Sequence, residues 1–238
     1  MSDIRLSSNI VAWQKNSFID FPRTVSTVLF FSGCNLACPY CHNSEIVLRR
    51  LARIDLNEFW KFLELRKGKI KGVVLTGGEL TTYPSDQIIS LIRQIQSYGY
   101  KVKIDTNGLL PDVISDIFLN TRFNYLAIDV KTSSELYKEK LHCAFSDVDV
   151  RIGTTINLTT EYDIDSEVRI TAVPGLLDES ICHKIGSIIC GMKLAFIQRF
   201  KNTKTLDPSY SKVEPFTDEE LDKFRRILLD YVCECRIR

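Results

Sequence analysis

The chain of 238 residues has no long apolar run. Its most apolar stretch, Val25–Phe31, is far too short to cross a bilayer. The opening Met1-Ser2-Asp3-Ile4-Arg5 lacks the apolar core of a secretory leader. Neither sign of charge is in excess: 31 Lys and Arg stand against 30 Asp and Glu, a formal net charge of +1. A nucleic-acid binder would show a basic excess or stripe, so nucleic acid is not an expected partner. Low-complexity segments, long linkers and sequence repeats are missing too. The expectation is a single domain over residues 1–238, cytoplasmic, with no membrane contact.

Cysteine, by contrast, is plentiful, with eight in the chain. In an intracellular protein these read as metal ligands or buried small hydrophobes rather than disulfides. Three of them fall within eight residues, Cys34-Asn-Leu-Ala-Cys38-Pro-Tyr-Cys41, spaced C-x3-C-x2-C. That spacing lets three thiolates close on one metal centre. A [4Fe–4S] cubane takes four thiolates, so three local ligands leave one iron open to an external molecule. Zinc and buried thiols are the alternatives. Zinc sites usually pair two C-x2-C units, and the next cysteine after Cys41 is Cys143. Cys143, Cys182, Cys190, Cys233 and Cys235 match no ferredoxin-type run and are expected as core or surface thiols.

Apolar, β-branched runs suited to buried strands occur at Thr24–Phe31, Gly72–Thr76, Lys101–Thr106, Tyr125–Val130, Glu167–Val173 and Lys193–Gln198. Helix signals lie between most of them. Asp55 with Glu58 makes a capping-box-like start, and Gly68 a stop. Ser85 opens a helix with Ile88, Ile89, Ile92 and Ile95 on one face and Gly99 beyond it. Pro111 suits a first helical turn, and Thr217 with Glu220 caps a C-terminal helix expected over about 217–233. Val148–Leu158 is ambiguous, because its alternation suggests a strand where the crossover needs a helix. Strands alternating with helices predict an α/β fold with a parallel sheet and right-handed crossovers. Six strands are fewer than the eight of a closed TIM barrel, so a partial (β/α)6 barrel is expected.

Chemistry-bearing residues fall at the predicted strand ends, where parallel α/β folds gather their sites. The cysteine loop follows the first predicted strand, which places Tyr40 and His42 beside it. Thr76-Gly77-Gly78-Glu79 ends the second, with two glycines permitting close backbone approach and a carboxylate able to meet an ammonium group. Asp105-Thr106-Asn107-Gly108 ends the third, where Asn107-Gly108 reads as a turn, and Asp129-Val130-Lys131 ends the fourth.

The cysteine spacing resembles that of the radical S-adenosylmethionine (radical SAM) superfamily. Phe21-Pro22, the strand Val25–Phe31, Cys-Pro-Tyr-Cys-His-Asn, Gly-Gly-Glu, Asp-Thr-Asn-Gly and Asp-Val-Lys follow in an order resembling anaerobic ribonucleoside-triphosphate reductase activating proteins. Val168–Pro174 and Phe196–Phe200 look like their later strands, so the resemblance spans a core of about 18–200. It implies a cluster on Cys34, Cys38 and Cys41, with S-adenosylmethionine on the fourth iron. By the same resemblance Tyr40, His42, Gly77, Gly78, Glu79, Asp105, Thr106, Asp129 and Lys131 line the cofactor site. In some members the matching Asp, Thr and second Asp surround a monovalent cation. The implied activity is reductive cleavage of S-adenosylmethionine to a 5′-deoxyadenosyl radical that installs a glycyl radical on a partner enzyme. Class III ribonucleotide reductase is the first candidate partner, another glycyl radical enzyme the second, with a flavodoxin- or ferredoxin-type electron donor. A small-molecule enzyme resembling 7-carboxy-7-deazaguanine synthase is the alternative.

Overall fold

A computed structural model describes residues 6–238; the leader reading of Met1–Arg5 lies outside them. The elements in chain order are β1 (Ile10–Ser17), β2 (Ser26–Phe31), α1 (Ser44–Val47), α2 (Leu56–Leu65), β3 (Gly72–Gly77), α3 (Ser85–Ser97), β4 (Lys101–Thr106) and α4 (Pro111–Asn120). They continue as β5 (Tyr125–Asp129), α5 (Ser134–Leu141), α6 (Val148–Glu161), β6 (Asp165–Ala172), α7 (Glu179–Ile188), β7 (Leu194–Arg199), α8 (Asp218–Leu228) and β8 (Glu234–Ile237). Strand order along the sheet is the order of the sequence. The α/β class and parallel sheet are as expected, with two strands added to the predicted six.

The fold groups into two compact units. The first comprises residues up to Cys34, Glu45–Thr106 and Asp112–Leu126. Here β1 pairs antiparallel with β2, while β2 pairs parallel with β3 and β3 with β4. The start of β5 is tied alongside β4 through Asn124, whose N–H donates to the Val102 carbonyl (2.8 Å) and whose side-chain oxygen accepts from the Val102 N–H (2.9 Å). Val73, Val74, Leu75, Val102 and Ile104 are buried, and Phe59, Leu63, Ile88, Ile92 and Ile95 of α2 and α3 are buried too. Asp55 caps α2 by accepting from the Asn57 N–H.

The second unit comprises Asn35–Ser44, Asn107–Pro111 and Ala127–Arg238. It holds the end of β5, where the Val130 N–H donates to the Arg169 carbonyl of β6 at 3.0 Å. Parallel pairs β6–β7 and β7–β8 follow. Val148–Leu158 is helical: Val148, Ile152, Thr155, Ile156 and Thr159 are buried at helical spacing, which outweighs the β-branched composition. The C-terminal helix ends at Leu228, short of the expected 233, and the chain then turns into β8. Cys143, Cys182 and Cys235 are buried thiols, whereas Cys190 and Cys233 are exposed. Among the described residues no helix is long and apolar enough to cross a membrane.

The Thr217–Glu220 capping box forms as predicted, with both reciprocal bonds present. Thr217→Ala should lower stability by about 1 kcal/mol, read from the urea midpoint at unchanged slope.

Candidate cofactor site

In the first unit the end of β2 and the Gly77-Gly78-Glu79 turn after β3 are sewn together by backbone. The Gly78 N–H donates to the Phe31 carbonyl at 2.8 Å, and the Glu79 N–H to the Gly33 carbonyl at 2.9 Å. Gly77 has φ +119, which an L side chain rarely adopts. A Cβ on Gly78 would stand 1.7 Å from the Gly33 carbonyl oxygen. The close approach that these glycines permit is therefore filled by the backbone leading into Cys34. Gly33, at φ +80, is itself covered by the Arg49 guanidinium, whose Nη2 would be 2.4 Å from an added Cβ. The Tyr83 hydroxyl bonds the Ser32 carbonyl just before it.

Glu79 is 1% exposed. Its Oε1 accepts from the Thr81 N–H (3.1 Å), the Thr81 hydroxyl (2.6 Å) and the Thr106 hydroxyl (2.9 Å). Glu79 and Thr106 are thus brought together, and the carboxylate expected to face an ammonium group is held by neighbouring hydroxyls. Asp105, two residues along β4 from Lys103 and on the same face, is ion-paired to it. Sequence reading missed Lys103, although its i, i−2 relation to Asp105 was the available signal.

In the second unit Cys38 is buried and Cys41 half-buried, and the Cys41 N–H turns back to the Cys38 carbonyl at 3.0 Å. The loop is anchored by the Ala37 N–H on the Leu141 carbonyl (2.9 Å) and the Asp207 N–H on the Pro39 carbonyl (2.8 Å). Asn107 donates to the Asn35 side-chain oxygen at 2.7 Å, so a residue read only as a turn braces the cysteine loop. Tyr40 is buried edge-on to Phe200, and its hydroxyl has no hydrogen-bond partner among the described residues. His42 is exposed.

Beside these cysteines lies a charged group. Asp129 accepts from the Arg169 guanidinium (Nε, 2.5 Å) and pairs with the Lys131 ammonium (3.1 Å). Burial works against the Asp129 charge, but Arg169 and Lys131 outweigh it and hold the carboxyl well below its usual range. Burial likewise opposes the Lys131 charge, yet Asp129 and the Cys38 sulfur raise its pKa overall. Arg169 was seen in sequence only as part of a strand. Burial pushes the Cys38 thiol up to about 11, with Lys131 pulling the other way, and burial also raises Cys41. Ligation would release those protons, and the Lys131 cation favours the thiolate form that a metal needs.

The residues fit an iron–sulfur cluster with a bound cofactor. The three cysteines are free of disulfides, and an orphaned buried hydroxyl stands at Tyr40, between Cys38 and Cys41 in the chain. Among the described residues no three His, Cys, Asp or Glu side chains converge as ligands of a single ion. The profile of the Radical SAM superfamily matches residues 28–185.

The chain belongs to the radical SAM superfamily. A Methanocaldococcus jannaschii protein named as a glycyl-radical enzyme activating enzyme is 32% identical to it over 224 residues, spanning 93% of this chain and 92% of the relative. The pyruvate formate-lyase-activating enzyme of Clostridium pasteurianum is 25% identical over 87% of this chain and 82% of its own length. The 7-carboxy-7-deazaguanine synthase of Aquifex aeolicus is 33% identical, but over 36% of this chain and 37% of that enzyme. The solved structure of Streptococcus suis SuiB bound to S-adenosylmethionine superposes with a TM-score of 0.62 at 14% identity, covering 89% of this chain and 51% of SuiB, which supports the radical SAM fold. This chain is accordingly a radical SAM enzyme, and the superfamily implies a [4Fe–4S] cluster and S-adenosylmethionine.

Gly78→Ala should force the Cys34 root away from the turn, since its Cβ meets backbone that cannot rotate aside. Stability should fall by about 2 kcal/mol or more, and iron per chain after reconstitution should fall with it. Gly153→Ala, in α6 with open space at its Cβ, is the control and should stabilise by about 0.5–1 kcal/mol with full iron.

Proposed function

We propose that this chain is the activating enzyme of a glycyl radical enzyme, with class III ribonucleotide reductase as its first partner and another glycyl radical enzyme as the second. The observation that carries the reading is the near end-to-end similarity to the M. jannaschii activating enzyme. Relatives named as 7-carboxy-7-deazaguanine synthase from A. aeolicus align over about a third of the chain, which favours a protein substrate over that small molecule.

Cys34, Cys38 and Cys41 are the proposed cluster ligands. A cluster held there would supply one-electron reductive cleavage of bound S-adenosylmethionine, the chemistry by which a hydrogen atom would be removed from a glycine Cα. The electron comes from a flavodoxin- or ferredoxin-type donor. The chain's own residues do the rest. Lys131 offers an ammonium to the cofactor's carboxylate, held in place by Asp129 and by the bond from its own N–H to the Tyr137 hydroxyl (2.8 Å). The Gly77–Glu79 turn would meet the cofactor's ammonium end, and the Thr106 hydroxyl, donating to Glu79 Oε1, braces that turn. Tyr40, whose buried hydroxyl has no hydrogen-bond partner among the described residues, lies in the cluster loop and would meet the adenine end. His42, exposed one residue after Cys41, stands at the rim of the same site.

The test is anaerobic incubation of reconstituted, reduced enzyme with S-adenosylmethionine and the candidate reductase. Electron paramagnetic resonance should show a glycyl doublet on the reductase, lost when its glycine is changed to alanine. Cys34→Ala, Cys38→Ala and Cys41→Ala should each lose the cluster of about four irons, whereas Cys143→Ala and Cys182→Ala should keep it. Absence of the radical with every glycyl radical enzyme of the same cell would reject the proposal.

A further inference from the structure

The end of β4 carries a buried charge pair. Lys103 is 1% exposed and its ammonium bonds Oδ1 of Asp105, whose side chain is 12% exposed. The ring of Tyr125, at the start of β5, lies 5.9 Å from the same nitrogen. A buried ammonium is tolerated only when paired, and here the carboxylate and the aromatic ring together hold it. Lys103 and Asp105 stand two residues apart on one strand, so the pair is built into the backbone and needs no flexible element to form it.

We propose that the Lys103 ammonium is the resident cation of this site, neutralising Asp105 from within the protein so that no monovalent metal ion binds there. The inference rests on the reading that the strand ends hold S-adenosylmethionine, and it concerns what balances the charge of that site. A metal cation next to Asp105 would have to share the carboxylate with a fixed ammonium at contact distance, and the two positive charges repel. The Asp and Thr that match a cation site in some related activating enzymes do not fit one here, because this chain has a lysine within reach of the Asp. Lys103 is therefore a positioning residue: it fixes Asp105 and sets the charge that the cofactor meets.

The experiment measures S-adenosylmethionine affinity of the reconstituted enzyme, and the thermal midpoint of the metal-free chain, in potassium, sodium and choline chloride at equal ionic strength. Wild type should show the same affinity and the same midpoint in all three. Lys103→Met removes the charge while keeping the length. In choline it should bind the cofactor about tenfold more weakly, the scale of an ordinary coupling between two bound species. Potassium or sodium should restore that binding by occupying the vacated place. Recovery of the variant's fold by potassium, should choline leave it unfolded, supports the proposal equally. Tighter cofactor binding by wild type in potassium or sodium than in choline would overturn it, and so would a variant that matches wild type in every salt. Neither readout involves a glycyl radical, so failure here is separable from failure of the partner assignment.

Discussion

The seam between the end of β2 and the turn after β3 is the constraint on which the site depends. Two backbone bonds, Gly78 to Phe31 and Glu79 to Gly33, join the loop that begins the cysteine motif to the Gly77-Gly78-Glu79 turn. Such bonds are worth about 1 kcal/mol each, so their value lies in geometry rather than in net stability. The contact is so close that no side chain fits at Gly78. Register between β2 and β3, from Ser26 opposite Gly72 to Phe31 opposite Gly77, therefore sets where Cys34 starts.

Charge is handled differently at the two aspartates predicted for the site. Asp105 is balanced by one buried lysine two residues away. Asp129 is balanced by Arg169 from β6 and by Lys131 from its own strand end. For Asp129 the depressed carboxyl means stabilisation that is present above the ordinary carboxylate range and lost only as pH falls well below it. Of that group the Lys131 ammonium pulls the Cys38 thiol down, against the larger effect of burial, which pushes it up.

The six central strands could be read from the chain because each is buried and β-branched, and such runs have few other uses. β1 escaped because Gln14, Lys15 and Asn16 make its second half polar and exposed, as befits an edge strand. β8 escaped because Glu-Cys-Arg-Ile is only four residues with alternating charge. The ambiguity at α6 reflects a conflict between its Val, Ile and Thr content and its helical spacing, and packing decided it. Of the site, motif residues at strand ends were visible since polar groups there have few structural reasons to recur. Arg169 and Asn107 were not, because their roles depend on partners supplied by folding, the adjacent strand and the cysteine loop, whereas Lys103 was signalled by Asp105 two residues on.

The central claim is that this radical SAM chain draws a hydrogen atom from a glycine of a protein partner. It is tested most directly with a reductase whose glycines carry deuterium at Cα, incubated anaerobically with the reduced enzyme and S-adenosylmethionine. Mass spectrometry of the 5′-deoxyadenosine should show one deuterium gained, dependent on the partner's radical-bearing glycine. 5′-Deoxyadenosine that forms in the partner's presence without deuterium would contradict the account.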